Sequence, residues 1–160
     1  MSAGEESHLR SAVLLEQVAM CLLRMHNPRR RRAAFQLILA SNRYSMCGQR
    51  KHTVRCLLHA WKIYQGKGWN YVADHVMVSV ARHAYLIGSS RLSLTAFAAL
   101  LANNSQPPAM QREQLAEFVR VYRSFASVAL PSDVPVPIID HSSIQVYAQS
   151  LLISFRSYIS

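Results

Sequence analysis

His52, Cys56 and His59 recur at i, i+4 and i+7, a spacing that puts all three on one face of a helix. Imidazole and thiolate both bind zinc, but a zinc site also needs a fourth ligand and the usual paired-cysteine spacing, and neither stands nearby. The trio is therefore expected to pack at the edge of a core. Glu113 and Glu117 lie one helical turn apart, as an acid–base pair would need, yet Arg112, Arg120 and Arg123 surround them. Surface ion pairs are the expected outcome there. The chain has no GxSxG, HExxH or Walker loop, and Gly66-Lys67-Gly68 is too short to cradle a phosphate. Nothing in these residues calls for a cofactor, a metal or an enzyme.

The strongest chemical signal is charge. Between Gln17 and Ala73 there is no Asp or Glu, while that window holds eleven of the eighteen lysines and arginines. The net charge of +10 thus sits mainly on one half of the chain. Such a field attracts phosphates, anionic membrane surfaces or acidic protein surfaces. Arg29, Arg30, Arg31 and Arg32 form its densest run, with Arg50 and Lys51 following. Arginines at a helix start oppose the positive end of the helix dipole, so their presence hints at a use. These six are the candidate residues for contact with a protein partner or lipid headgroups. Trp61, Tyr64, Trp69 and Tyr71 could stack bases beside them. At helical spacing they are expected to pack between adjacent helices instead. A basic helical module that binds nucleic acid is the alternative reading. It would show as sequence-tolerant binding to RNA or DNA with a steep salt slope.

Helices must carry these residues. Apolar positions from His8 to Met25 recur at helical spacing and cover more than one stripe, which predicts a first helix buried on two sides. Asn27-Pro28 breaks it, and a second helix is expected over about 30–44. Gly48 punctuates before a third over 49–64. A fourth should end near Gly88, a fifth should span 91–102 and a sixth 110–127. In the sixth, Leu115, Phe118, Val119, Tyr122 and Phe125 are expected on one face.

Two stretches of these helices repeat. Leu37, Ala40, Tyr44, Gly48, Thr53, Leu57 and Ala60 stand forty positions before Met77, Val80, Ala84, Gly88, Ser93, Phe97 and Leu100. A helix pair that cannot bury its apolar face alone stacks on its neighbours. The predicted fold is all-α, with antiparallel helix pairs stacked as a solenoid similar to tetratricopeptide repeats. Tyr44, Gly48 and Ala60 sit where that motif places its tyrosine, glycine and alanine. Leu37, Leu57, Met77, Val80, Phe97 and Leu100 should be buried between helices.

Composition divides the chain into a helical domain over 1–129 and a proline-containing tail over 130–160. Pro131, Pro135 and Pro137 forbid a helix, and Ile138-Ile139 and 143–147 are β-prone. The tail is expected to be the truncated start of a β-rich region. Cys21, Cys47 and Cys56 follow no secretory signal and read as reduced thiols of a cytosolic protein. No apolar run reaches about 18 residues, which argues against a membrane-spanning helix.

The stretch VLLEQVAMCLL at 13–23 resembles a helix of the subunit 8 family of the TRAPP (transport protein particle) complex. The resemblance continues through RRAAFQLILASNRYSMCGQRKHTVRCL at 31–57, WKIYQGKGWNYVADHV at 61–76, ARHAYLIG at 81–88 and LPSDVPVPIIDHSSIQV at 130–146. It covers residues 10–146. The resemblance implies a non-catalytic scaffold segment of a TRAPP III-type assembly, which activates a Rab GTPase in ER-to-Golgi transport and autophagy. It implies other TRAPP subunits as partners and a cytoplasmic location at the periphery of Golgi membranes. Family members are many times longer, so a fragment, splice form or truncated gene product is expected.

Overall fold

The computed structural model describes residues 3–102 and 106–125. Its elements are six helices: α1 (Ala3–Arg24), α2 (Arg30–Met46), α3 (Arg50–Tyr64), α4 (Asn70–Leu86), α5 (Ser90–Ala102) and α6 (Pro108–Ser124). Among the described residues there is no strand. Each helix packs chiefly on the next one in the chain, from α1 on α2 through to α5 on α6. Short connections make neighbours antiparallel, and the result is a solenoid of stacked helices. The expected tail at 130–160, and with it the domain boundary, lies outside the described residues.

The forty-residue register holds down to individual hydrogen bonds. In the first pair Gln49 N–H donates to the Tyr44 carbonyl at 2.9 Å, and in the second Ser89 N–H donates to Ala84 at 3.0 Å. Between these partners, Gly48 and Gly88 take φ of +70° and +75°. That left-handed angle is cheap only for glycine, and it closes α2 and α4 in the same way. Thr53 and Ser93 are both buried. The Thr53 hydroxyl lies 3.4 Å from the Ser41 carbonyl, and the Ser93 hydroxyl 2.9 Å from that of Ala81, so each ties its helix to the one before it. A Cβ built on Gly48 or Gly88 meets nothing within 4 Å. Replacing either by alanine should therefore carry only the backbone term, about 1 kcal/mol each by analogy with other strained angles. The double variant should depart from additivity only through Arg50, whose N–H bonds the Gly48 carbonyl and whose guanidinium bonds Leu86 at the end of α4. Urea unfolding of the three variants checks this, and a loss of several kcal/mol from either single change would mean hidden packing at the turn.

Burial follows the repeat. All six residues expected between helices are buried, and so are Ala40, Tyr44, Ala60 and Ala84. Two apolar clusters form, one centred on α1, α2 and α3 and one on α3 to α6. Ile38, Trp61 and Val72 pack against both and join them into one strip.

Three sequence expectations are corrected. The first helix is buried on one side, not two. Ala12 and Ala19 face the core, while Val13, Leu14, Val18 and Met25 are exposed, Leu14 to 64%. The reason is that α1 packs chiefly on α2, and no described helix covers its outer face. The sixth helix starts at Pro108, two residues earlier than expected, because proline suits a first turn whose N–H groups have no partner. Its inner face is also rotated. Gln114 and Val121 are buried, with Phe118, Tyr122 and Phe125 packed beside them, while Leu115 is 36% exposed.

Candidate functional site

The six candidate cations do not form one surface. Arg29 to Arg32 stand exposed at the start of α2, and Arg50 and Lys51 stand exposed at the start of α3. Because α2 and α3 are antiparallel, a helix of 17 residues, about 25 Å, separates the two groups. Arg50 is also engaged within the fold: its guanidinium donates to the Leu86 carbonyl at 3.3 Å, at the C-terminal end of α4. A cation there complements the negative end of the helix dipole.

Instead, the fold brings Arg31 of this run to the loop between α3 and α4. The Tyr64 hydroxyl reaches the Arg31 carbonyl at 3.5 Å, and the Arg31 guanidinium lies 3.9 Å over the centre of the Trp69 ring. Trp69 is 38% exposed and Tyr71 66%. These two were expected to pack between helices, and that expectation is corrected. Only Trp61 and Tyr64, which lie inside α3, go into the core. Trp69 and Tyr71 fall at the start of α4, beyond the reach of the stacked helices. Lys67 is exposed in the same loop. Neither α2 nor α4 has a side-chain N-cap or an acidic residue in its first turn. The edge is therefore cationic in backbone and side chains alike.

Carboxylates elsewhere are engaged in the fold. Glu113 and Glu117 do form ion pairs, but with Arg82 of α4, at 3.3 and 2.8 Å, and not with the arginines of their own helix. This ties α6 to α4 across α5. Glu16 of α1 accepts from the Tyr44 hydroxyl at 2.9 Å and from Arg55 at 2.7 Å, joining three helices. Burial first, and then Glu16, pushes the Tyr44 hydroxyl up to about 12. Spacing within one helix could not reveal either bridge, because both span helices.

Of the three potential zinc ligands, His52 stacks on Tyr44 with ring centres 5.2 Å apart, and Cys56 is buried. Burial pushes the Cys56 thiol up to about 11, with Glu16 adding to it, so it stays neutral and unreactive. Among the described residues, no group of three His, Cys, Asp or Glu side chains could hold a metal ion. No helix among them is long and apolar enough to cross a membrane.

His83, at the far end of α4, has a buried Nδ1 with no hydrogen-bond partner among the described residues. Burial first, and the charge of Arg50 second, hold its pKa below the ordinary 6.5. The folded state thus binds fewer protons than the unfolded chain just below that pH. Its contribution to stability should be complete above about pH 6.5 and be lost as the pH falls through the window beneath it. Replacing His83 by leucine should flatten that part of the profile in urea unfolding between pH 7.5 and 5. An unaltered profile would show that the imidazole is solvated.

Helices stacked in chain order, with a register of forty residues and charged edges, define a helical-repeat protein of the α-solenoid class. Over 149 residues, 90% of this chain, the sequence is 38% identical to human trafficking protein particle complex subunit 8 (Homo sapiens), and it spans 10% of that protein's length. The alignment makes the chain a relative of one stretch of that subunit and bears out the resemblance carried by residues 10–146. No protein-family model and no solved structure matches the chain.

Proposed function

We propose that the chain is a non-catalytic scaffold segment of a TRAPP III-type complex that activates a Rab GTPase in ER-to-Golgi transport and autophagy. It works through contacts with other TRAPP subunits, in the cytoplasm and at the periphery of Golgi membranes. The observation that carries this reading is the 38% identity over 90% of the chain. The fold supports it physically, since stacked helix pairs present long faces of fixed geometry to partners. Arg29, Arg30, Arg31, Arg32, Arg50 and Lys51 are the proposed contact residues. Their division between two edges, at the starts of α2 and α3, suits a segment held at more than one point.

Affinity purification of the tagged chain from cells, followed by mass spectrometry, tests the reading. TRAPP subunits should be recovered. Recovery of nucleic acid instead, with binding lost steeply between 50 and 200 mM salt, would overturn it in favour of the basic nucleic-acid-binding alternative.

A further inference from the structure

We propose that the edge formed by the first turn of α2 and the loop between α3 and α4 docks an acidic segment of a protein partner. The Arg31–Trp69 stack is its fixed centre and Tyr71 its second aromatic anchor. The proposal rests on the scaffold reading above and names the chemistry of one partner contact.

Charge is the first support. Arg29, Arg30, Arg31 and Arg32 at the start of α2 and Lys67 in the α3–α4 loop are all exposed, Arg31 reaches that loop through Trp69, and among the described residues no carboxylate forms an ion pair with any of them. The chain has no Asp or Glu between Gln17 and Ala73, so none in that whole window can neutralise them. Two uncapped helix starts add the positive ends of their dipoles. The complementary surface is acidic.

Residue type is the second support. Arginine, tryptophan and tyrosine are the side chains that dominate binding energy in protein interfaces. Here Arg31 stacks on Trp69 and Tyr71 follows two residues on, with Trp69 and Tyr71 exposed although the fold buries Tyr64 and half-buries Trp61 a few residues earlier.

Geometry is the third support, and it favours a protein over a lipid surface. A bilayer anchor presents aromatic rings that can sink among headgroups. The Arg31 guanidinium covers one face of the Trp69 ring at 3.9 Å, and the Tyr64 hydroxyl reaches the Arg31 main-chain carbonyl, so the stacking holds the guanidinium and the backbone contact sets its turn against α3. A guanidinium held in place loses little freedom when it binds a carboxylate by two parallel hydrogen bonds. Such preorganisation suits one shaped partner.

The chain has three lysines, and they serve as reporters: Lys67 lies in this edge, while Lys51 and Lys62 lie together along a separate groove on α3. The full chain, purified with its bound TRAPP subunits, is treated with a water-soluble carbodiimide, which joins an amine to a carboxylate as an amide. Peptides linking Lys67 to Asp or Glu of a subunit are expected. Trp69→Ala with Tyr71→Ala should lower subunit recovery at least about tenfold at an unchanged thermal melt, and Trp69→Phe should restore much of it. If subunits bind but only Lys51 or Lys62 cross-links, or if the aromatic variant binds as the natural chain does, the proposal is wrong and the scaffold reading stands. If no subunit is recovered, both fail. Binding to vesicles of phosphatidylcholine and phosphatidylserine (7:3) that the aromatic variant loses would assign this edge to a bilayer and also overturn the proposal.

Discussion

Phe97→Ala is expected to destabilise the fold by about 3–5 kcal/mol, the range for deleting a buried aromatic ring. Phe97 is 1% exposed and belongs to the cluster that holds Leu57, Val76, Val80, Leu94, Leu100 and Val121. Helices α3 to α6 all contribute to that cluster, so the cavity would open where four helices meet. Its repeat partner Leu57 offers an internal comparison, because the same position in the first pair is also buried. Leu57→Ala should cost about 2–5 kcal/mol. Urea unfolding with an unchanged slope would show that stability, and not compactness, had changed. A loss below about 1 kcal/mol for Phe97→Ala would place the ring outside the core and break the forty-residue register.

Removing the Glu16 carboxylate should have the largest effect of any polar change. Glu16→Ala leaves the buried Tyr44 hydroxyl without its acceptor at 2.9 Å and releases Arg55. A hydrogen bond to a charged group contributes about 1.5–3 kcal/mol, and an orphaned buried donor is penalised on a similar scale, so a loss of about 2–3 kcal/mol is expected. Arg55 should carry little of it, because its side chain is 56% exposed and exposed pairs contribute under about 1 kcal/mol. Combining Tyr44→Phe with Glu16→Ala should recover part of the loss, since neither partner is then left alone. The Tyr44 hydroxyl should titrate below about 12 in Glu16→Ala but stay above the ordinary 10.0, as burial is the larger cause of its shift. Stability due to this group is present below pH 10 and is lost as the pH rises through that window. If Arg55→Ala proves as damaging as Glu16→Ala, the exposed ion pair and not the tyrosine holds the three helices together.

The sequence by itself determined the all-helical class, the break at Asn27-Pro28, the turns at Gly48 and Gly88 and the forty-residue register. Each of these is written in local chemistry: a proline that restricts the residue before it, a glycine that accepts a left-handed angle, apolar residues at helical spacing. The resemblance to the subunit 8 family was carried by stretches such as WKIYQGKGWNYVADHV, and the 38% identity over 90% of the chain agrees with it.

Tertiary structure decided what spacing along one helix cannot express. Whether α1 buries one face or two depends on how many helices lie against it, and its main neighbour is α2. Glu117 found Arg82 thirty-five residues away, although Arg120 and Arg123 were closer in sequence, because stacking brings α4 to α6. The six candidate cations looked like one basic region along the chain, yet antiparallel packing divides them between two edges about a helix length apart. The same packing sets Arg31 over Trp69, thirty-eight positions on, and turns a run of arginines into a surface with a centre. Local periodicity fixes which face of a helix is apolar, and only the neighbouring helices fix what that face meets.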